Sequence, residues 1–411
     1  MSDKKTEEID HRKLGKELDL FVFSDLVGPG LPLWTPRGTV LREELDRFVQ
    51  EMRIEKGFDA VTIPHITKKE LYERSGHWTK FKDDLFHIKS REGHEFAMKP
   101  MNCPHHAQIY ASRPRSYREL PIRYRETTMN YRDEQTGELN GLLRARSFTQ
   151  DDAHVFCREE DIVQEVLNLW EIVEKFYGAF KFDLSLRFSK RDPATPEAYA
   201  GTPELWQRAE AELGKAIEKK GAKTTDGLGD AAFYGPKLDF IARDSLDREW
   251  QVATIQLDFA QPEGLDLTYI DDKGAEQRPV MIHCAVMGSI ERFLAVLIEH
   301  TEGRFPLWLA PEQLRILTIN NDKELLQFAH GVVNKAKKSN LRVTLDDGNE
   351  SLGKKVANAE AMRVPYSVVI GSKEADSGKV TPRSRSDLAE VAELSIDDLF
   401  KKLAQDVQDR E

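Results

Sequence analysis

Residues 122–156 have the sequence IRYRETTMNYRDEQTGELNGLLRARSFTQDDAHVF, and this stretch decides the fold class. Two strand-like runs, residues 122–134 and 143–156, flank a polar loop that contains Gly137 and Gly141. This pattern predicts a long β-hairpin. In the surrounding chain, strand patterns and helix patterns do not alternate one for one. We therefore predict an α+β domain in which helices flank an antiparallel sheet.

The chain on both sides of this hairpin contains further periodic segments. Apolar residues with a 3.6-residue period predict helices over residues 38–57 and 159–180. Short apolar runs predict strands over residues 58–66, 257–266 and 280–283. These elements supply the helices and the remaining strands of the predicted antiparallel sheet.

The pattern changes near residue 308. From there, strands alternate with helices, which is typical of a parallel α/β sheet. The predicted strands cover residues 314–319, 341–345 and 366–370, and the predicted helices cover residues 322–338, 351–362 and the segment after residue 395. We therefore predict that a second, smaller domain begins at about residue 308.

Composition limits the class of protein. The 411 residues are 40% hydrophobic and 32% charged, which fits a globular protein, and no apolar run is long enough to span a membrane. A charged N-terminus predicts no signal peptide, so we expect a cytoplasmic location. The net charge of −11 means that any RNA contact must use local basic patches. Three cysteines suit a reducing compartment, and each is a core residue or a metal ligand.

Three side chains in separate motifs suggest nucleotide chemistry. Arg132 ends one predicted hairpin strand, Phe148 lies on the partner strand, and Arg292 follows Gly288 on a predicted helix. An arginine fork can bind a carboxylate and a phosphate together, while an aromatic ring and a second guanidinium can cover the two faces of a purine. The set predicts activation of a carboxylate by ATP. Taken singly, each residue type favours a surface arginine or a core phenylalanine.

Six segments in order resemble the threonyl-tRNA synthetases, a family of class II aminoacyl-tRNA synthetases, and the resemblance extends from about His11 to the C-terminus. The segments are Lys99-Pro100-Met101-Asn102-Cys103-Pro104, Gly141-Leu142-Leu143-Arg144, Phe148-Thr149-Gln150-Asp151-Asp152-Ala153-His154, Phe233-Tyr234-Gly235-Pro236-Lys237, Gln256-Leu257-Asp258-Phe259 and Gly288-Ser289-Ile290-Glu291-Arg292. The resemblance implies an N-terminal extension (1–21), a class II catalytic domain (22–307) and an α/β anticodon-binding domain (308–411), in a form that lacks the N-terminal editing region.

The resemblance also implies site residues. A catalytic zinc ion would be held by Cys103, His154 and His283, and would bind the amino and hydroxyl groups of threonine. The threonine pocket would be formed by Gln150, Asp152, Tyr234 and Gln256. ATP, with Mg²⁺, would be bound by Arg132, Glu134, Arg144, Phe148, Gln251, Thr254 and Arg292. The catalytic residues would be Arg132, Arg292, Lys237 and His77, the last near the terminal adenosine of the tRNA. The anticodon would be read by Asn349, Glu374 and Arg383.

The activity implied by the resemblance is that of a threonine–tRNA ligase. ATP and L-threonine would give threonyl-adenylate, which a homodimer would transfer to the 3′ end of tRNA(Thr). Serine lacks only one methyl group of threonine, which is worth about 1–3 kcal/mol. An enzyme without an editing region would therefore mischarge serine unless a separate trans-editing protein corrected it.

Some residues differ from what the family commonly has. His105 replaces a glycine beside the zinc cysteine, where it could crowd the pocket or add a ligand, and Gly348 and Ala357 replace arginines of the anticodon-binding domain. Cys284, Val252 and Ser147 also depart from the common residues, which are Arg, Cys and Gly.

Two other functions remain open from the sequence. One is a threonine-adenylating paralogue with a non-tRNA acceptor or a specialised role, for example in inhibitor resistance. The other is a non-catalytic RNA-binding or regulatory protein, against which the retention of Arg132, Arg292 and the zinc ligands argues. For His77 alone, a histidine in a surface loop is as compatible with the residue type as a catalytic one.

Overall fold

The computed structural model describes residues 9–410, which form two compact units. The large unit comprises residues 23–32 and 46–296, and the small unit comprises residues 9–22, 33–45 and 297–410. The predicted segments 1–21, 22–307 and 308–411 stay predictions, and residues 1–8 and 411 lie outside the described residues.

The helices and strands are numbered in chain order. The helices are α1 His11–Glu17, α2 Pro36–Glu55, α3 Lys69–Arg74, α4 His77–Lys80, α5 Cys103–Ala111, α6 Ile162–Gly178, α7 Pro203–Lys220, α8 Ala260–Gly264, α9 Ile290–Thr301, α10 Lys323–Lys338, α11 Leu352–Ala361, α12 Ser372–Ser377 and α13 Ile396–Asp409. The strands are β1 Phe21–Val22, β2 Leu33–Trp34, β3 Asp59–Ala60, β4 Ile66–Lys68, β5 His87–Lys89, β6 Glu95–Met98, β7 Ile122–Tyr131, β8 Ser147–Cys157, β9 Asp183–Lys190, β10 Thr224–Leu228, β11 Lys237–Arg243, β12 Glu249–Asp258, β13 Tyr269–Ile270, β14 Glu276–Gln277, β15 Val280–Ala285, β16 Leu314–Thr318, β17 Val343–Asp346, β18 Tyr366–Ile370, β19 Lys379–Val380, β20 Arg383–Ser384 and β21 Leu394–Ser395.

An eight-stranded sheet forms the centre of the large unit, in the order β10-β9-β11-β12-β15-β8-β7-β3. Every pair is antiparallel except the two at the edges, β10 with β9 and β3 with β7. The predicted hairpin is present as β7 and β8, in register from Ile122 opposite Phe156 to Tyr131 opposite Ser147. This confirms the predicted antiparallel α+β architecture.

One face of α6 builds an aromatic core in the large unit. The ring of Phe176 lies 5.6 Å from that of Phe48, 5.2 Å from that of Phe180 and 5.0 Å from that of Phe293. Burying a phenylalanine side chain contributes about 1.5–3 kcal/mol. The apolar period that predicted helix 159–180 therefore marks the face that stabilises this unit, although a 3₁₀ turn occupies Glu159–Asp161.

The small unit contains a four-stranded sheet in the order β17-β16-β18-β20. The first three strands are parallel and β20 is antiparallel to β18. Helices α10, α11 and α13 bury apolar residues, among them Ala329, Ala359 and Leu403. The predicted α/β character of this region is confirmed. No helix within residues 9–410 is both long and apolar enough to cross a bilayer.

The predicted strand over residues 58–66 is wrong. Only β3 and β4 form, at the two ends of the segment. Between them the Ile63 N–H donates to the carboxylate of Glu126 rather than to a neighbouring strand, and Pro64 has no N–H to donate. A hydrogen bond to a side chain therefore replaces the backbone hydrogen bond that a neighbouring strand would supply here.

The predicted strand over residues 257–266 is also wrong. Strand β12 ends at Asp258, and α8 follows. Oδ1 of Asp258 accepts the N–H groups of Ala260 and Gln261 at 2.8 and 2.9 Å. Such local hydrogen bonds cap a helix N-terminus and compete with strand continuation.

Candidate active site

Three side chains with metal-binding atoms meet in the interior of the large unit. His154 on β8 lies directly opposite His283 on β15, and their ring centroids are 4.7 Å apart. Cys103 is the first residue of α5. The ligand atoms of the three residues all lie within 4.8 Å of one another, and the side chains are buried. The structure thus brings together residues that are far apart in sequence.

The chemistry of these three donors fits a zinc ion. Burial lowers the pKa of His154 well below its usual value, which keeps the imidazole neutral, and burial raises the pKa of the Cys103 thiol. A bound cation favours the thiolate and neutral imidazoles that serve as its ligands. One sulfur and two nitrogens leave a tetrahedral zinc ion with one position open for substrate.

Each histidine of the cluster is held through its other nitrogen. Nε2 of His283 lies 2.9 Å from Oδ2 of Asp258, and Nδ1 of His154 lies 2.8 Å from Nδ1 of His106. Partners of this kind orient metal-binding imidazoles and fix their tautomers.

Asp152 lies beside the cluster and is held in place by a buried chain of polar groups. Its Oδ1 is 3.8 Å from Nε2 of His154, and its Oδ2 accepts from Nδ2 of Asn102 at 2.9 Å. The Lys99 ammonium in turn donates to Oδ1 of Asn102 at 2.8 Å and to Oγ1 of Thr128 at 3.0 Å. Burial lowers the pKa of Lys99 to about 8 and raises the pKa of Asp152. These hydrogen bonds hold the Asp152 carboxylate as a rigid acceptor next to the metal-binding atoms.

A cavity of about 560 Å³ gathers most of the predicted nucleotide and amino-acid ligands. Its lining includes Arg132, Glu134, Arg144, Phe148, Gln150, Gln251, Thr254, Gln256 and Arg292. Small-molecule sites commonly have volumes of about 300–1,000 Å³. The cavity is therefore large enough for a nucleotide.

Arg132 extends the hairpin strand β7 and lies between two aromatic rings. Its guanidinium carbon is 5.1 Å from the centroid of Phe148 and 5.3 Å from that of Phe81. Its buried Nε has no hydrogen-bond partner among the described residues, and burial lowers the pKa of this arginine. A buried donor without a partner is costly, so this position favours an anionic ligand.

Glu134 and Arg144 form an ion pair in this cavity. Nε of Arg144 donates to Oε2 of Glu134 at 2.7 Å, and Nη2 of Arg144 also contacts Glu138 at 3.1 Å. The side chain of Arg146 donates to the Glu134 main-chain oxygen at 3.0 Å. The loop after β7 is thus fixed by charged contacts at the cavity.

Asp239 was not predicted, and it holds three predicted ligands. Its carboxylate is buried and accepts from Nζ of Lys237 at 2.6 Å, from Nε2 of Gln251 at 2.8 Å and from Oγ1 of Thr254 at 2.9 Å. Ser189 adds a fourth hydrogen bond at 2.7 Å. Lys237 and Asp239 share one face of β11 because strand residues alternate, which is the only sequence signal that could have linked them.

Two glycines permit close approaches near these ligands. A Cβ at Gly235 would lie 1.8 Å from the main-chain oxygen of Leu257, so only glycine fits at position 235, two residues before Lys237. Gly288 has φ +70°, and the next residue, Ser289, accepts the N–H of Arg292 at 3.1 Å. This turn starts α9 and directs Arg292 to the cavity.

His77 is fully buried, so the alternative of a surface-loop histidine is wrong. Its Nδ1 lies 2.9 Å from Oγ of Ser75, and its Nε2 lies 3.5 Å from Sγ of Cys103. The ring stacks on Phe81 at 5.7 Å and meets Phe233 edge-on at 5.5 Å. Burial lowers its pKa to about 3, so the imidazole is neutral.

Tyr234 connects the metal-binding cluster to the cavity. Its hydroxyl donates to Oε1 of Gln256, and its ring lies 4.9 Å from that of His283. Gln150 lies on β8, and its side-chain oxygen accepts from Nδ2 of Asn130 on the neighbouring strand β7 at 2.8 Å. The predicted threonine ligands are thus in fixed orientations.

Comparisons with known proteins agree with this arrangement. Residues 86–301 match the tRNA synthetase class II core domain (G, H, P, S and T), and residues 313–406 match an anticodon-binding domain. The solved RNA-binding domain of threonyl-tRNA synthetase from Cryptosporidium parvum is 38% identical, with a TM-score of 0.91, and the match covers 96% of this chain and 98% of that one. The chain belongs to the threonyl-tRNA synthetase family of class II.

Other relatives extend this result. A threonine–tRNA ligase of Pelodictyon phaeoclathratiforme is 45% identical over 404 residues, which cover 97% of this chain and 61% of the relative. One from Gloeobacter violaceus is 47% identical over 383 residues, with 92% and 61% covered. The chain thus spans about three fifths of the length of these threonyl-tRNA synthetase relatives. A prolyl-tRNA synthetase of Cryptosporidium parvum, 16% identical with a TM-score of 0.77, shares the fold.

The anticodon-reading residues that the threonyl-tRNA synthetase family implies are at the surface of the small unit. Asn349 is exposed after β17 and accepts from Nδ2 of Asn321 at 2.6 Å. Glu374 accepts the Gly371 N–H at 2.9 Å at the start of α12. Arg383 is exposed on β20.

Arg383 lines a cavity of about 390 Å³ that neither Asn349 nor Glu374 lines. Three further arginines, Arg304, Arg363 and Arg385, also line it. The three predicted readers therefore do not share one cavity, unlike the ligands in the large unit.

The residues that depart from the threonyl-tRNA synthetase pattern have different surroundings. His105 is buried, and its ring lies 6.2 Å from that of Tyr72, but it is not part of the metal-binding group. Both of its ring nitrogens lack a hydrogen-bond partner among the described residues. Val252 lines the large cavity, while Gly348 and Ala357 are exposed. Ser147 and Cys284 are buried.

Proposed function

We propose that this protein is a threonine–tRNA ligase that activates L-threonine with ATP and transfers it to the 3′ end of tRNA(Thr). The observation that supports this most is the convergence of Cys103, His154 and His283, with Asp152 beside them, in the unit whose 560 Å³ cavity is lined by arginines. A metal-binding group next to a cationic nucleotide-sized cavity is suited to amino-acid activation.

Recognition of threonine would depend on its hydroxyl group. Cys103, His154 and His283 would hold the zinc ion, which supplies a Lewis acid for the amino and hydroxyl groups of the substrate. Asp152, fixed by Asn102, would accept the hydroxyl hydrogen. Valine has no hydroxyl and would leave this buried carboxylate unpaired, so a site of this kind rejects it by about 10⁴-fold or more.

Activation would be an in-line displacement at the α-phosphorus of ATP. A threonine carboxylate oxygen forms the new O–P bond, and pyrophosphate leaves with the electron pair of the broken bond. Arg132 would hold both the carboxylate and the α-phosphate, because a guanidinium can bind two anions at once. Lys237 and Mg²⁺ would offset the charge on the phosphates, and Arg292 would cover the face of the adenine opposite Phe148.

The remaining cavity residues would bind and orient the two substrates. Glu134 and Arg144 would meet the adenine end, and Phe148 would stack on the base. Gln251 and Thr254, both held by Asp239, would contact the nucleotide. The threonine side would be lined by Gln150, Tyr234 and Gln256. These roles are matched by the lining of one cavity, apart from Tyr234, which donates to Gln256.

Transfer would follow at the same site. The 2′- or 3′-hydroxyl of the terminal adenosine would attack the threonyl carbonyl and release AMP, and the hydroxyl proton must leave as the ester forms. His77 would orient this hydroxyl, because its buried imidazole is neutral and borders Cys103. Asn349, Glu374 and Arg383 would contact the anticodon.

Further properties of the enzyme belong to this proposal. We expect a cytoplasmic homodimer. The need for a trans-editing protein that removes serine from tRNA(Thr) stays a prediction.

A second candidate is a threonine-adenylating enzyme with a non-tRNA acceptor or a specialised role. The exposed Gly348 and Ala357 favour it, because cations at these positions would strengthen contacts with phosphates. It shares every catalytic step with the first candidate up to the adenylate.

One pair of assays separates these functions. Threonine-dependent exchange of pyrophosphate into ATP, measured with metal analysis of the same sample, tests activation. Charging of purified tRNA(Thr) tests transfer. Exchange and charging together support the ligase, whereas exchange without charging supports the second candidate. A metal-free protein with no exchange would refute both.

A further inference from the structure

A line of buried polar groups extends behind the metal-binding histidine of β8. Nδ1 of His154 lies 2.8 Å from Nδ1 of His106 on α5, and Nε2 of His106 lies 3.5 Å from Oε2 of Glu126 on β7. Oε1 of Glu126 accepts the Ile63 N–H at 3.0 Å. His106 and His154 are almost completely buried, and Glu126 is 9% exposed.

Glu126, at the far end of this line, determines which nitrogen of His106 carries its proton. Nε2 of His106 and Oε2 of Glu126 are both buried, and neither makes a hydrogen bond among the described residues, so the 3.5 Å contact between them is electrostatic. A carboxylate accepts hydrogen bonds and does not donate them. The negative charge of Glu126 therefore favours the tautomer of His106 that carries its proton on Nε2, facing the carboxylate.

That assignment determines the proton on the next ring. A neutral imidazole with its proton on Nε2 is an acceptor at Nδ1. Because the two Nδ1 atoms of His106 and His154 face each other at 2.8 Å, His154 must be the donor between them. The proton of His154 then lies on Nδ1, and its Nε2, which is 3.8 Å from Oδ1 of Asp152, keeps its lone pair for a metal ion.

The second metal-binding histidine has the same arrangement in a shorter form. Oδ2 of Asp258 lies 2.9 Å from Nε2 of His283, so the proton of that ring faces the carboxylate and Nδ1 is free. Asp258 is itself held by Gln261, which donates from Nε2 at 2.7 Å. One histidine is thus set by a carboxylate directly, and the other through an intervening imidazole.

We propose that Glu126 is a positioning residue that fixes the tautomers of His106 and His154 and so keeps Nε2 of His154 ready to bind the metal ion. The inference rests on the metal centre of the proposed function. It concerns the affinity for zinc, and a role in the chemical steps is not part of it.

The substitution Glu126→Gln changes the size of the side chain little, but it reverses the direction of hydrogen-bond donation along this line. The Ile63 N–H keeps the amide oxygen as its acceptor, so the amide NH₂ faces His106 and requires an acceptor there. His106 then moves its proton to Nδ1 and donates to His154, which places the remaining proton of His154 on Nε2. We expect zinc affinity to fall by about 10–100-fold, as for other partners of metal ligands.

Glu126→Asp separates this effect from packing. Aspartate is shorter than glutamate by one methylene but still only accepts, whereas glutamine has the right size and the wrong polarity. The inference predicts that Glu126→Asp retains more zinc affinity than Glu126→Gln. A purely structural role for Glu126 predicts the reverse order.

His105→Asn is the matched control on the same helix. His105 is buried and adjacent to His106, but its ring faces Tyr72 and it belongs to neither the line nor the metal-binding group. We expect this variant to bind zinc within about twofold of the wild type, since it leaves Glu126, His106 and His154 in place.

The test is a zinc dissociation constant for each purified full-length protein, measured by competition with a chelating dye. Thermal unfolding of the metal-free proteins checks that each variant is folded, and His106→Leu, which removes the acceptor for His154, replaces Glu126→Gln if that variant does not fold. Affinity within twofold of wild type in Glu126→Gln or in its replacement, or an aspartate variant weaker than the glutamine variant, would overturn the inference. A wild type that binds no zinc would instead refute the metal centre of the proposed function.

Discussion

The predicted ligands of the large unit and those of the small unit differ in burial and in grouping. Cys103, His154 and His283 converge in the interior, and the predicted ATP ligands line one cavity. In the small unit, Asn349 and Arg383 are exposed, and Arg383 lines a cavity that the other predicted readers do not share. The fold alone brings the first set together, whereas it leaves the second set dispersed at the surface.

The physical reason for this difference is the cost of burial. A buried polar group without a partner costs about 1–3 kcal/mol, so the interior site must be organised before any substrate arrives. Exposed side chains are solvated and need no fixed geometry. Substitutions in the large unit should therefore have large effects on activation, and those in the small unit should have small effects confined to tRNA.

The largest effect is expected for His154→Ala. Loss of one of three metal ligands should reduce threonine activation by about 10³-fold or more, because Lewis-acid binding is worth several kcal/mol. ATP should still bind, since the arginines of the cavity are untouched. Pyrophosphate exchange and nucleotide binding by calorimetry measure the two effects. Activation near the normal rate would remove the metal centre from the mechanism.

The enzyme should reject an amino acid that lacks a hydroxyl group much more strongly than one that carries it. We expect valine to be rejected by about 10⁴-fold or more in kcat/KM for activation, and serine by only about 10–200-fold, because serine keeps the hydroxyl and lacks one methyl group. Exchange assays with the three amino acids measure both ratios. Discrimination against serine above about 10⁴-fold would show that the pocket uses more than the hydroxyl.

Asp239→Asn should have an intermediate effect. The neutral amide loses the charge that Lys237 contacts and cannot accept all four hydrogen bonds, so kcat/KM for ATP should fall by about 10–100-fold.

The matched control for this change is Asp244→Asn. Asp244 is also buried and accepts from Arg248 and Trp250, but it lies beyond the end of β11 and does not line the cavity. It should leave activation kinetics unchanged at a temperature where the protein is folded. Equal losses in the two variants would mean that Asp239 acts through stability alone.

The smallest effect is expected in the small unit. Arg383→Ala should raise KM for tRNA(Thr) by about 3–10-fold, equivalent to one weakened contact, and should leave pyrophosphate exchange unchanged. Aminoacylation kinetics at two salt concentrations measure this change. An effect on exchange, or none on tRNA, would contradict the division between the two units.

The sequence predicted the elements better than the contacts. The hairpin of residues 122–156 and the alternation after residue 308 are periodic patterns, and both sheets formed as expected. The strands predicted at 58–66 and 257–266 failed because side chains, Glu126 and Asp258, accept the local N–H groups. Hydropathy does not reveal which backbone N–H group a side chain will accept, whether that side chain is nearby, as Asp258 is, or distant, as Glu126 is.

The same limit applies to the site. Spacing alone could not have joined Cys103 to His154 and His283, and only the family resemblance suggested the set. Asp239 and His106 were not predicted because each acts by holding another side chain, which no pattern in the sequence reveals. The burial of His77 and the absence of His105 from the metal-binding group also needed coordinates.

Zinc K-edge X-ray absorption on the purified protein, with and without threonine, tests the central claim most directly. We predict a first shell with one sulfur at about 2.3 Å and two imidazole nitrogens at about 2.0–2.1 Å, and a change in the light-atom shell on addition of threonine but not of valine. Absence of bound zinc, a shell without sulfur, or an identical response to both amino acids would contradict it.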